Sequence, residues 1–558
     1  MNRIKAQGDP KSRLGTTALM WISHSERQLG VEELCQALAV EIGSTDYNSH
    51  DAPSIQTVLS CCQGLVEVDK GSTVRLIHHR LLEYLVSHCN LFQSPHSTIA
   101  ETCLSYLNSQ QIMALSGSST QSTQHLPVLE YSSLYWGAHL KKDFSDDGRA
   151  LALKLFSRYE CHISIRLLLE NMYGRDPLRV VVNFSKFTGL HFASIFGLVE
   201  VARALTEREG VDTNGIDEMG STPLSWAAEN GYEAVVKLLL EREEVGPDEP
   251  GNCGRAPIAW AARGGYEAVV KLLLEQKNVN PDRPDDDGRT PLSLAAVNGH
   301  EAVVKLLLGR EDVNPNWPDK SDRTPISLAA ENGNDEMVKL LLKRKDINPD
   351  EQNKWGQTPI SSAALGGHEA VVKLLLGRED VDPNRSDMWD RTPISWAASK
   401  GHDAIARLLL GREDAIPDRP DNKGRAPILL AAKNGHEEVV KLLLGSEDVD
   451  PNRPNVWDQT PTSLAAKNGH EEVVKLLLKR KDINPDSPDD GGRNPISWAA
   501  GNGYEAVVEL LLGREDVNPD RPDNGGRNPI SWAVENGHEA VVQLLHRRKD
   551  ANPDQLDV

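Results

Sequence analysis

Aromatic residues make up only 5% of this 558-residue chain, and cysteines number seven. Six of the seven fall before residue 162, scattered and without a C-x-x-C pair. That pattern excludes a disulfide framework and a zinc ribbon, and the cysteines read as reduced thiols of an intracellular protein. No apolar run approaches the roughly 18 residues needed to cross a bilayer, and no secretory leader is expected. The expected compartment is therefore the cytoplasm, with the nucleus open, and no membrane contact is expected. The phosphate cradle G-x-x-x-x-G-K-[ST] does not occur, nor does the G-x-S-x-G nucleophile elbow. Nucleotide hydrolysis and serine-esterase chemistry thus lose their usual means. No catalytic or cofactor-binding set emerges, and none is expected.

Charge of one sign is also scarce. The net charge is −21, carried by 61 Lys/Arg against 82 Asp/Glu. Residues 1–186 hold 17 basic and 18 acidic side chains, so nearly the whole excess lies in the remainder, with 44 basic against 64 acidic. Such a surface repels phosphate backbones, so no nucleic acid is expected. It suits a basic or polar protein partner.

What the chain has is a period. Proline returns every 34 residues from Pro223 through Pro257, Pro291, Pro325, Pro359, Pro393, Pro427, Pro461 and Pro495 to Pro529. Self-similarity at a fixed spacing predicts a stack of small units, none of which buries its apolar face alone. In one copy Thr222 is placed to cap a helix and Pro223 to fill its first position, where a missing N–H costs nothing. Leu224, Ala227 and Ala228 face inward, and Asn230-Gly231 supplies a left-handed stop. Val235, Val236, Leu238 and Leu239 form the stripe of a second helix. The acidic stretch 241–253 is too rich in breakers to continue it and predicts an extended finger.

The T-P-L start, the alanine pair, the N-G-H link and the V-V-K-L-L-L helix resemble ankyrin repeats, and the tetratricopeptide pattern of the same period is absent. The resemblance covers about eleven copies over 184–558. It implies a mainly all-α solenoid and a protein-binding role without catalysis. The first copy departs from it, with Gly189 in place of proline and the only surviving histidine of the motif, His191. Eleven copies predict a rod or arc of roughly 80–100 Å at 8–10 Å per step. The wetter last helix, with Gln543, His546, Arg547 and Arg548, reads as a terminal cap.

Residues 13–92 predict three helices and a hairpin, a small winged-helix domain. The carrying positions are Leu19-Met20-Trp21-Ile22, Val31-Glu32-Glu33-Leu34, Cys61-Cys62-Gln63-Gly64-Leu65-Val66 and Glu83-Tyr84-Leu85. They resemble the module that follows the NACHT domain in fungal NLR-like proteins. By that resemblance the chain is the winged helix, connector and ankyrin array of such a receptor without its NACHT domain. Residues 1–12 are expected to be a remnant of an upstream region. Residues 93–183 form a helical connector with a Ser/Thr/Gln linker near 116–125 and a capping box at Thr98 and Glu101. A stand-alone ankyrin scaffold or substrate adaptor is the alternative. A transcription or chromatin role is disfavoured, because residues 50–69 contain no Lys or Arg.

The histidines His300, His368, His402, His436, His470 and His538 recur one repeat apart. They are too widely spaced to share a metal ion and are expected to bond backbone at helix starts. Asp285-Asp286-Asp287-Gly288 fails the EF-hand pattern, so no metal is expected. Trp226, Trp260, Trp396, Trp498 and Trp532 precede the alanine pair and are expected to pack. Trp355, Trp389 and Trp457 fall instead at fingertips, where no core exists to receive an indole. With Arg323, Arg391, Gln357 and Gln459 beside them they form the candidate protein-binding row. Glu331, Asn332, Ser399, Lys400, Lys433, Asn434, Lys467 and Asn468, at the ends of the first helices, form the candidate floor.

Overall fold

The computed structural model describes residues 1–88, 90–115, 126–157, 162–173 and 186–551. The Ser/Thr/Gln linker expected near 116–125 lies outside them. The chain divides into two compact units, Met1–Asp286 and Asp287–Val558.

The first unit opens with α1 (Asn2–Lys5), α2 (Asp9–His24), β1 (Leu29–Gly30), α3 (Val31–Ala37), α4 (Ile55–Cys61), β2 (Val66–Val68), β3 (Thr73–Leu76) and α5 (His79–Ser87). The strands form an antiparallel sheet in the order β1-β3-β2, with Val66 opposite Leu76 and Leu29 opposite Val74. Asp69 shapes the wing turn by accepting the N–H groups of Gly71 and Thr73 at 2.8 and 3.0 Å. Leu19, Trp21, Leu34, Val58, Cys61, Cys62, Val74 and Leu85 fill the core. The edge strand β1 is too short to leave a periodic signal. Residues 1–12 pack onto this domain: Ile4 is fully buried, and Gln7 donates to the Cys61 carbonyl at 2.8 Å.

The connector comprises α6 (Pro95–Leu107), α7 (Gln110–Met113), α8 (Pro127–Lys142), α9 (Asp146–Phe156) and α10 (Ile163–Tyr173). The Thr98–Glu101 capping box does not form. Pro95 starts α6 a turn earlier, where its missing N–H costs nothing, and Glu101 instead accepts the hydroxyls of Ser97 and Ser145 at 2.9 and 2.6 Å. Aromatics join the connector to the first repeat. Trp136 stacks on Phe192 with ring centres 4.5 Å apart, and Phe156 lies against the same ring. A side chain at Gly189 would put its Cβ 2.5 Å from Phe156. This explains why the first copy has glycine where every later copy has proline.

Each later copy is a helix pair, for example Pro359–Gly366 and Glu369–Leu376. The threonine cap is formed as expected: Thr222 accepts the Ser225 N–H at 3.1 Å, and Thr358 and Thr392 do the same for Ser361 and Ser395. Ala256 and Ala426 leave their helices without a side-chain cap. Between copies, the residue after the N-G link lies on the preceding copy's glycine. Tyr266 covers Gly231, His368 covers Gly333 and His436 covers Gly401, each so close that an added Cβ would fall 2.3–2.5 Å from the ring. Those glycines also have φ of 69–77°, so both backbone conformation and packing demand glycine. Three histidines of the row bond backbone: His368, His436 and His470 contact the carbonyls of Glu331, Ser399 and Lys433 at 3.0–3.1 Å. Arg344, Arg412, Arg480 and Arg514 donate to the carbonyls of Leu308, Leu376, Leu444 and Leu478 in the preceding copy at 2.8–3.0 Å. Each thereby satisfies one carbonyl left unpaired at a helix C-terminus.

Thr358→Ala should cost about 1 kcal/mol. In native-state hydrogen exchange the repeats that begin at Ala256 and Ala426 should open before their threonine-capped neighbours. Uniform protection along the array would count against the cap.

Candidate protein-binding surface

From Asp319 to Asp523 the fingertips are built by one acidic or amide side chain per repeat. Asp387 accepts the N–H groups of Trp389 and Arg391 on one carboxylate oxygen, at 2.9 and 3.0 Å. Its other oxygen takes the Arg391 guanidinium at 3.0 Å, and its own N–H donates to the Arg391 carbonyl. The residue before the arginine, Asp390, adopts φ of 59°. Asp319 with Arg323 and Asp421 with Arg425 repeat the pattern. Asn353 with Gln357 and Asn455 with Gln459 are its neutral form, the amides paired at 3.3 and 3.1 Å. From Asp319 to Arg527 the two positions change together, because a buried carboxylate there is matched by a cation and a buried amide by another amide.

Arg323, Arg391, Gln357 and Gln459 are therefore engaged in holding the tip. Arg391 also lies over the rings of Trp389 and Trp396, at 4.4 and 3.7 Å, and Arg323 reaches Glu331 at 3.4 Å.

The tip residues themselves project outward. Trp355, Trp389 and Trp457 are 42%, 37% and 43% exposed, and beside them Met388 and Val456 reach 60% and 61%. Successive tips are joined by single backbone bonds: Met388 N–H to the Trp355 carbonyl, Asn422 to Trp389, Val456 to Lys423 and Asp490 to Trp457, at 3.0–3.1 Å. Trp355, Met388, Trp389, Lys423, Val456 and Trp457 thus form one strip over four consecutive fingers, roughly 25–30 Å long at 8–10 Å per step. Asp287, Ser321, Gly491 and Gly525 occupy the tryptophan position in other fingers of this unit. Met388 and Val456 escaped the sequence reading, although the column preceding the tryptophans would have shown them.

The floor residues are more constrained. The carbonyls of Ser399, Lys433 and Lys467 accept amides from Asn434, Asn468 and Asn502 at 2.9–3.0 Å. The Asn332 amide turns back to Leu328. Lys467 lies over Trp498 at 3.8 Å, where burial and then the Arg493 charge lower its amine pKa. The side chains of Glu331, Lys400 and Lys433 remain exposed. The tryptophans before the alanine pair do pack: Trp226 and Trp260 are buried, and Trp396, Trp498 and Trp532 are half-buried beneath arginines.

A finger carrying this internal loop, a helix pair joined by N-G, and a 34-residue step decide the family. Overlapping stretches, 153–249, 243–319, 309–387, 379–455, 429–523 and 462–557, match the family described as ankyrin repeats (3 copies). The chain belongs to the ankyrin-repeat family. Residues 3–97 match a second family, described as GPI inositol-deacylase, winged helix domain. No curated protein matches the chain. The ankyrin match begins at 153, so the end of α9 and all of α10, which the sequence assigns to the connector, lie within the matched stretch.

Asp387→Asn should destabilise the array by about 1–2 kcal/mol, and adding Arg391→Gln should recover part of that loss, because the two residues are directly coupled. Denaturant unfolding of the single and double variants measures the coupling. Strict additivity would remove the pairing argument.

Proposed function

We propose that this ankyrin-repeat chain is a non-catalytic recognition protein, and that its fingertip strip is where a protein partner docks. Ankyrin repeats are a protein–protein interaction module. The observation that carries the assignment is the concentration of exposed large apolar side chains on consecutive tips held in place by their own polar loops. Tryptophans presented this way, rimmed by Lys423, Asp390 and Asp458, have the composition of a binding hot spot. The acidic excess of the repeats favours a basic or polar partner, meeting the strip at its rim. Glu331, Lys400 and Lys433 supply the adjoining polar contacts.

The winged helix and connector ahead of the array support a further reading, that of the ligand-sensing half of a signalling protein resembling the NACHT/NLR type. The reading places the chain in the cytoplasm. The helix of the winged domain that would enter a DNA groove, α4, lies in a stretch without Lys or Arg, which argues against a nucleic-acid role.

Two results are expected. Replacing Trp355, Trp389 and Trp457 together by alanine should leave the melting temperature nearly unchanged, whereas Trp226→Ala should cost about 3 kcal/mol or more. A partner captured by the wild-type chain should be lost by the triple variant. A triple variant that melts early, or keeps its partner at full affinity, would assign those indoles to architecture. The purified chain should also neither bind nor hydrolyse ATP, which isothermal titration and a phosphate-release assay would check.

A further inference from the structure

Three side chains with metal-binding atoms, none of them used by the repeats, meet where the winged helix joins the connector. Glu26 follows α2, His96 sits in the first turn of α6 and His139 in the last turn of α8. One ligand atom from each lies within 4.8 Å of the others, the one such group among the described residues. The Nδ1 atoms of His96 and His139 are 2.8 Å apart, and Glu26 Oε1 is 4.0 Å from His139 Nδ1.

The surrounding hydrogen bonds orient this set. His139 Nε2 is 2.8 Å from the Tyr131 hydroxyl. That hydroxyl also accepts the Glu26 N–H at 3.0 Å. When His139 donates to it from Nε2, a lone pair is left on Nδ1, directed at His96. A histidine held through its outer nitrogen by a buried partner is the support that metal-bound imidazoles use.

We infer that Glu26, His96 and His139 bind one divalent transition-metal ion of the zinc class, clamping the winged helix to the connector. Two imidazoles and a carboxylate suit zinc, and the Glu26 side chain, 21% exposed, leaves a side open for water as the fourth ligand. In that tautomer, and without an ion, His96 donates its Nδ1 proton to His139. Binding moves that proton to His96 Nε2 and parts the two nitrogens to about 3.3 Å, the spacing set by two bonds of 2.0–2.1 Å at a tetrahedral angle. Lys142 competes with the ion: its ammonium holds Glu26 Oε1 at 2.6 Å. It is half-exposed and free to swing into solvent.

The test uses the full-length protein, stripped with EDTA and titrated with Zn²⁺ against a chromophoric chelator. One tight equivalent is expected, and Co²⁺ in its place should show the visible bands of a tetrahedral site. Glu26→Gln and His96→Ala should each weaken zinc at least tenfold, and Tyr131→Phe should weaken it about 10–100-fold. Lys142→Gln should tighten it, an effect that a metal-free hydrogen-bonded pair gives no reason to expect. Circular dichroism and thermal melts confirm that the variants are folded. Wild-type protein that binds no equivalent more tightly than about 10 μM would overturn the inference. So would zinc affinity unchanged in Glu26→Gln and His96→Ala, which would assign the binding to exposed histidines such as the repeat row.

Discussion

Each helix pair of the array has apolar surface on two sides, and only another copy can cover it. The alanines at the middle of the first helix are fully buried, and the valines of the second are buried with them. Their small size lets neighbouring first helices pack closely. The link between the helices then becomes the tightest point, with the ring of one copy lying on the glycine of the copy before. A residue with a side chain there would have to move the ring and adopt a left-handed backbone at once. Repetition at a strict 34-residue interval follows from that contact, because a changed length would move the ring off its glycine.

The fingers obey a different constraint. Their tips have no apolar core, so polar bonds hold their shape, and from Asp319 to Asp523 a buried Asp or Asn at the base of each tip organises them. A carboxylate in that place is matched by arginine and an amide by glutamine, and either pair leaves the tip residue itself free to vary. Trp355, Trp389, Lys423 and Trp457 can therefore differ from Ser321 or Gly491 at little cost to the fold. This separation of supporting and presenting positions lets one scaffold carry many binding surfaces.

At the other end of the array, the aromatic cluster of Trp136, Phe156, Phe192 and Phe196 replaces the regular interface. The first copy meets connector helices there instead of another repeat, and its departures from the consensus, Gly189 above all, are adaptations to those rings. The winged domain is joined to the connector by polar groups, Glu26 with Lys142 and Tyr131 among them.

Much of this was legible in the linear chain, because the chain contains its own alignment. Ten prolines in register, most with Thr or Asn before and N-G after, determine the helix pair, its caps and its stop through local backbone chemistry alone. The exposed tryptophans were legible too, since a fingertip has no core. The roles of Arg323, Arg391, Gln357 and Gln459 were not, because a side chain four residues from a carboxylate reads equally as a partner or as a ligand-facing group until the loop closes. The two-residue strand β1 was likewise settled by pairing, and the partner of Glu101 by Ser145, far away in sequence. The meeting of Glu26, His96 and His139 belongs wholly to tertiary structure. These residues lie on three separate elements, and only the packing of α8 against α6 and the end of α2 brings their nitrogens and oxygens within reach.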